Sequence, residues 1–327
     1  DPFEASDKIM ELNPDVMTLD IQMPRMNGIE FLRKLMPQYP LPVVVVSAVS
    51  SSVFDALNAG AVDFVTKTAL KTEGEKRQFI SELVVKIKIA SIAKVGQHKH
   101  AGAKNKAAQK AADSRGKNCL IAIGASTGGT EATSQILKDL GTDLPGIVIV
   151  QHMPPKFTRL YAERLNETCA MAVKEAADGD EIVPGRALIA PGGLHMTVAR
   201  DKGGMIAECR PGDKVNGHCP SVDVLFESVA KLKSVDALGI ILTGMGSDGA
   251  AGMRTMRDAG AHTIAQDEKS CVVFSMPEEA IRRGRTDDPG TRDPAEILRG
   301  LGMIKDGQIL RAAVVLFARS DRLLPDY

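Results

Sequence analysis

The sequence carries no surplus of charge: 41 Lys and Arg residues balance 41 Asp and Glu residues in a chain of 327. Nucleic acid as the main partner is disfavoured, because neutralising phosphates needs net positive charge. No apolar run approaches the roughly eighteen residues of a membrane span, so membrane insertion is not expected. The opening Asp1-Pro2-Phe3-Glu4 has no basic segment followed by an apolar one, so a signal peptide is not expected. It also lacks an initiating Met, as expected of a chain whose start lies upstream. The five cysteines (119, 169, 209, 219 and 271) are odd in number and form no CxxC pair. A disulfide or zinc framework is therefore not expected, and a cytoplasmic location fits. What is present is ordinary for a globular chain: 44% apolar and 25% charged residues, enough length for about two domains at roughly 150 residues each.

Apolar runs of strand length alternate with helix-like stretches, the pattern of parallel α/β sheets. In the first part, Val16 to Leu19, Pro42 to Val46 and Asp63 to Thr66 read as strands; Gly28 to Leu35, Ser52 to Asn58 and Lys76 to Ala93 read as helices. From Lys94 to Asn118 the chain is basic, with Lys99, Lys104, Lys106, Lys110, Arg115 and Lys117 among Ala, Gly, Gln and His. Having no apolar face, this segment reads as a solvated linker; a nucleic-acid arm would want aromatics to stack on bases, and it has none. A second α/β series follows, with strands at Leu120 to Ile123, Gly146 to Gln151, Ala187 to Ala190, Gly239 to Thr243 and His262 to Gln266. The domain plan is thus 1–92, a linker 93–118, a second domain 119–285, and a tail 286–327 that reads as a helix and an apolar strand.

Asp20, Ser47 and Lys67 each stand at the carboxyl end of a strand, where sites assemble in open parallel sheets. Taken singly, each is an ordinary polar strand end. Together, a carboxylate, a hydroxyl and an ammonium form a phosphoryl acceptor with its anion-stabilising partners. With Met23-Pro24-Arg25-Met26-Asn27-Gly28 behind the Asp, they resemble the receiver domain of response regulators. That resemblance implies a partial flavodoxin-like fold in which Asp20 accepts phosphate from a histidine kinase, with Ser47, Phe64 and Lys67 as switch residues. Receivers open with a strand ending in an acidic pair that binds Mg²⁺. Asp1, Glu4 and Asp7 cannot replace that pair, so the Mg²⁺ site is expected to be incomplete, with Asp20 its remaining member.

In the second domain, Gly124-Ala125-Ser126-Thr127-Gly128 lies between a strand and a helix, as in a G-x-S-x-G nucleophile elbow. A Ser or Thr capping a helix after a Gly-rich turn reads the same way. His152, just after the next strand, supplies a partner base, and Asp248 in Thr243-Gly244-Met245-Gly246-Ser247-Asp248-Gly249 completes a candidate Ser–His–Asp set. His195, His218 and His262 fit surface or packing roles better, although spacing does not exclude them. A rival reading takes Gly244-x-Gly246-x-x-Gly249, with Asp267 beyond, as a dinucleotide-binding fingerprint of an oxidoreductase. Against it, Asp248 would put a carboxylate where the pyrophosphate must sit.

Four longer stretches carry a closer resemblance: Ile121 to Glu131, Gln151 to Thr158, Pro220 to Phe226 and Leu242 to Ala250. In that order, behind a receiver and a linker, they resemble the chemotaxis methylesterase (CheB) family over about residues 1 to 283. The resemblance implies a Rossmann-like catalytic domain in which Ser126 is the nucleophile, His152 the general base and Asp248 its orienting partner. The backbone N–H of Met245, with that of Thr127, would hold the oxyanion. It implies glutamate methyl esters and glutamines of chemoreceptors as substrates, a chemotaxis histidine kinase as phosphodonor, no cofactor for the esterase, and Mg²⁺ only for receiver phosphorylation. An inactive signalling module is the other alternative, suggested by the irregular ends. The tail departs from the family; Gly302 to Gly307 and Ala312 to Phe317 resemble a short piece of an AlbA-like DNA-binding module, too short to act alone.

Overall fold

The computed structural model describes residues 2–23, 25–48, 51–67, 72–95, 118–201, 203–284, 304–305 and 308–309. The linker expected over 93–118 falls almost wholly outside these residues, as does most of the 286–327 tail. The chain divides into two compact units, Asp1–Gly102 and Ala103–Tyr327.

The first unit is built on three parallel strands in the order β1 (Met17–Asp20), β2 (Val43–Ser47), β3 (Asp63–Thr66). All five residues of β2 are buried, which explains its unbroken Val43-Val44-Val45-Val46 run: a central strand covered on both faces shows no alternation. Helices α1 (Pro2–Leu12), α2 (Gly28–Leu35), α3 (Ser52–Asn58) and α4 (Glu73–Ala90) accompany the sheet. Asn27 caps α2 by accepting from the Ile29 N–H at 2.9 Å. The helix predicted from Lys76 begins three residues earlier, because Thr72 and Glu75 form a reciprocal capping box. Lys86 of α4 pairs with the buried Asp63 of β3 at 2.7 Å, tying that helix to the sheet edge.

The second unit is centred on six parallel strands in the order β12-β11-β4-β5-β8-β6. These are β4 (Cys119–Ala125), β5 (Gly146–Gln151), β6 (Ala172–Glu175), β8 (Arg186–Ile189), β11 (Asp236–Ile241) and β12 (His262–Ala265). The chain builds outward from β4 through β5, then returns to the other side of β4 with β11. That reversal makes β4 and β11 flank a topological switch point, whose crevice opens at the carboxyl ends of the strands. Helices α5 (Gly129–Asp139), α6 (Phe157–Thr168), α7 (Val222–Ala230), α8 (Ala250–Asp258) and α9 (Ser275–Gly284) complete the layers.

Before α7 the chain makes a second, antiparallel sheet, ordered β7 (Asp180–Ile182), β10 (Gly204–Arg210), β9 (His195–Asp201). The sequence reading, tuned to continuous apolar runs, did not expect these strands or β6. Their signal is alternation: Met196 and Val198 in β9, and Met205, Ala207 and Cys209 in β10, are buried between less buried Thr197, Ala199, Ile206 and Glu208. Val198 also donates its N–H to the Ser228 hydroxyl of α7 at 2.9 Å, fixing the sheet to that helix. A two-stranded hairpin, β13 (Ile304–Lys305) with β14 (Gln308–Ile309), is described in the tail.

Candidate active site

In the first unit the register places Asp20 opposite Val46 and Ser47 opposite Thr66, so Asp20, Ser47 and Lys67 gather at one sheet edge. The Lys67 ammonium contacts the Asp20 carboxylate, which also accepts from the Gln22 N–H at 3.1 Å. Burial alone would raise the Asp20 pKa, but the Lys67 and Gln22 hydrogen bonds and the lysine charge outweigh it and hold the carboxyl low. Ser47 is buried at the end of β2, and Phe64 is buried within β3. Among the described residues no group of three or more His, Cys, Asp or Glu side chains could hold a metal ion.

In the second unit, Ser126 and His152 are brought together by strand register. Ala125 pairs with Gln151 across β4 and β5, and the His152 N–H donates to the Ala125 carbonyl at 3.0 Å. Ser126 and His152 are the next residues on the two adjacent strands, which run about 4.8 Å apart. The Gln151 amide donates to the Ser126 carbonyl at 2.8 Å, and the Ser126 N–H donates to Thr243 O at 3.0 Å. Ser126 is therefore held from both flanking strands at the switch point, half-buried. The Thr243 loop approaches so closely that a Cβ on Gly244 would lie 2.7 Å from Ser126 Cβ and 2.2 Å from Met276 Sδ. Beyond the serine, Gly128 turns the chain into α5 with φ 79°.

His152 Nε2 lies 2.7 Å from Asp248 Oδ2, with the two side chains 6% and 1% exposed. Asp248 also receives the Val222 N–H on Oδ2 at 2.7 Å, and on Oδ1 the Ser221 hydroxyl at 2.7 Å, the Asn216 amide at 3.0 Å and the Asp223 N–H at 3.2 Å. Burial pushes its pKa upward, yet the hydrogen bond and charge of His152 and the Asn216 and Ser221 donors prevail and hold it far below the usual carboxylate range. Val222 and Asp223 are the first residues of α7, so the carboxylate also sits at a helix N-terminus, where a negative charge is favoured. An ionised Asp248 can only accept, so the proton between the two residues is on His152 Nε2. In the neutral imidazole this leaves Nδ1 as the basic nitrogen, and Nδ1 is buried with no hydrogen-bond partner.

The dinucleotide reading of Gly244, Gly246 and Gly249 fails on this geometry. Asp248 fills the turn before α8 and spends its oxygens on α7 and His152, leaving a fixed anion where the pyrophosphate would have to lie. Asp267 does not project from a strand end: β12 stops at Ala265, and the Asp267 carboxylate accepts from the Lys269 N–H at 3.0 Å, the Ser270 N–H at 3.3 Å and the Ser270 hydroxyl. Strand β11 likewise ends at Ile241, although Leu242 still donates to Gly124 O at 2.8 Å, which is why the run to Thr243 reads as strand.

Sequence reasoning missed three contributors. His218 stacks flat on His152, with centroids 3.6 Å apart and planes at 7°. Asn216 and Ser221 donate to Asp248 from a loop far away in sequence. An Asn-Gly pair and a Ser opening an apolar helix were visible signals for a turn and a cap, but nothing local points them at Asp248. His195 is buried and bridges the Asp213 carbonyl and the Ser221 N–H, while His262 begins β12. Met245 is 38% exposed beside the site, and its N–H donates to no acceptor among the described residues. Thr127 is buried at the turn into α5.

Residues 121–298 match the CheB methylesterase family, and residues 1–77 match the response regulator receiver domain. The chain is 57% identical over 284 residues to protein-glutamate methylesterase/protein-glutamine glutaminase 2 of Syntrophomonas wolfei, covering 87% of this chain and 82% of that protein. It is 50% identical over 288 residues to the protein-glutamate methylesterase/protein-glutamine glutaminase of Salmonella typhimurium, covering 87% and 82%. The solved catalytic domain of the Thermotoga maritima CheB methylesterase is similar at 39% identity and TM-score 0.49, over 51% of this chain and 89% of that one.

Proposed function

The chain belongs to the CheB methylesterase family, and we propose that it hydrolyses glutamate methyl esters on the cytoplasmic helices of chemoreceptors, with Ser126 as nucleophile, His152 as general base and Asp248 as the residue that orients the base. The observation that carries this reading is the division of labour on one imidazole. Nε2 is committed to Asp248 at 2.7 Å, and Nδ1 is buried and unpartnered on a residue whose backbone lies beside Ser126 across the strand pair.

The chemistry follows from that arrangement. Ser126 Oγ attacks the ester carbonyl and passes its proton to His152 Nδ1. The resulting imidazolium is stabilised through Nε2–H by the ionised Asp248. The carbonyl oxygen becomes an oxyanion, held by the Met245 and Thr127 N–H groups. Collapse breaks the C–O bond, and methanol leaves with the proton from Nδ1. Water, deprotonated by His152, then cleaves the Ser126 acyl ester, returning the serine and a glutamate carboxylate. A receptor glutamine follows the same path, with ammonia as the leaving group.

The first unit serves as a receiver in which Asp20 is the phosphoacceptor and a chemotaxis histidine kinase the phosphodonor, adjusting the esterase during adaptation. A specific protease site engineered between residues 103 and 110 of the full chain tests restraint by the receiver: a rate that rises on cleavage supports it, and an unchanged rate opposes it.

The activity itself is tested by methanol release from a methyl-labelled receptor. The full chain should release methanol, and Ser126→Ala should lower the rate by about 1,000-fold or more. Retention of most of the activity by that variant would overturn the assignment.

A further inference from the structure

Val215-Asn216-Gly217-His218 forms a tight two-residue turn. Val215 and His218 exchange both backbone hydrogen bonds, at 3.0 and 2.9 Å, while Asn216 and Gly217 take φ of 51° and 83°. Two successive left-handed residues are the requirement of a type I′ turn, and Asn-Gly is the pair that meets it with least strain. The flanks of the turn are pinned by one side chain. His195 Nδ1 accepts the Ser221 N–H at 3.2 Å, and Nε2 lies 2.8 Å from the Asp213 carbonyl. Because Nδ1 accepts, Nε2 carries the proton, so a neutral imidazole clamps both ends of the loop.

From this turn the Asn216 amide reaches inward with both hydrogens. Nδ2 lies 2.7 Å from Asp223 Oδ2 and 3.0 Å from Asp248 Oδ1. Both carboxylates are buried, with Asp223 6% and Asp248 1% exposed. Two acids close enough to share one NH₂ group repel when both are ionised, and the ordinary relief is a shared proton. Burial, and next the Asp248 charge, push Asp223 upward, in keeping with that repulsion. A neutral amide answers both oxygens without adding a cation that would compete with His152 for Asp248. Asp223 is further held by the Gly252 N–H at 2.6 Å, which keeps its own carboxylate turned toward α8.

We propose that Asn216 is a positioning residue of the esterase, standing between Asp223 and Asp248 so that Asp248 stays aimed at His152 with its full charge. This rests on the Ser126–His152–Asp248 reading above. Asn216 touches neither substrate nor reacting atoms; it acts through Asp248.

The test compares Asn216→Gly and Asn216→Asp in the full chain, with kcat and KM for methylated receptor and the melting temperature measured together. Both replacements accept a left-handed backbone, so the turn is retained. Glycine deletes the amide, and aspartate replaces it with a third carboxylate of nearly the same shape. The expected result is a kcat roughly 10- to 100-fold lower, with KM within about 2-fold of wild type and the aspartate variant the slower of the two. Values of kcat within about 2-fold of wild type in both variants overturn the proposal, as does a loss that merely tracks the unfolded fraction. Ser126→Ala is run alongside: if it is inactive while both Asn216 variants are active, the catalytic reading stands and this inference falls. If Ser126→Ala is active, the catalytic reading itself has failed.

Discussion

His152 presents its Nε2 to Asp248 Oδ2 at 2.7 Å and keeps its Nδ1 buried without a partner. The imidazole is thus oriented at one end and basic at the other.

Asp248→Asn keeps the size of the side chain but turns an acceptor toward a donor. An amide nitrogen facing Nε2 favours the tautomer with its proton on Nδ1, which blocks the base. The expected outcome is a kcat lower by about 1,000- to 10,000-fold with KM little changed, measured by methanol release. An effect confined to KM would show that Asp248 contributes to binding instead.

Acid should weaken the fold through the same residue. Asp248 has a folded pKa below its unfolded value, so its stabilisation is fully present above about pH 4 and is lost as pH falls through the folded pKa. Denaturant unfolding of wild type and Asp248→Asn as a function of pH checks this. The stability difference in favour of wild type should shrink as pH falls below about 4.

His218 lies flat against His152, with ring centroids 3.6 Å apart. A flat ring at that position limits the rotation of His152. His218→Ala should lower kcat by about 10-fold, while His218→Phe, which keeps a flat face, should retain most of the rate. Equal losses in both variants would assign the effect to something other than the stack.

Gly244→Ala tests the closeness of the two loops. The added Cβ would meet Met276 Sδ at 2.2 Å and Ser126 Cβ at 2.7 Å, so something must shift. The expected cost is about 1–3 kcal/mol of stability, seen as a lower melting temperature, together with a reduced kcat from displacement of Ser126.

Much of this site was legible because it lies at strand ends. The buried runs of β4 and β5 fixed where Ser126 and His152 emerge, and the loop after β11 fixed Asp248. The Asp20, Ser47 and Lys67 cluster was legible for the same reason. What escaped was held by pairings across long sequence separations. Asn216 and Ser221 stand 32 and 27 residues from the Asp248 they serve, and no periodicity reports such a contact. The β9–β10 ribbon escaped for a different reason: its Met196/Val198 and Met205/Ala207/Cys209 alternation was present, but it sits between runs that dominate the pattern. The start of α4 is signalled by the Thr72–Glu75 capping box, which sets it three residues ahead of the Lys76 start read from the apolar spacing.

The central claim is that Ser126 is a nucleophile activated by His152. Its most direct test is labelling of the full chain with an active-site serine reagent such as a fluorophosphonate, followed by peptide mapping. The account predicts a single adduct on Ser126, and labelling at least about 100-fold slower in His152→Ala. Labelling elsewhere, or labelling of Ser126 at an unchanged rate without His152, would contradict it.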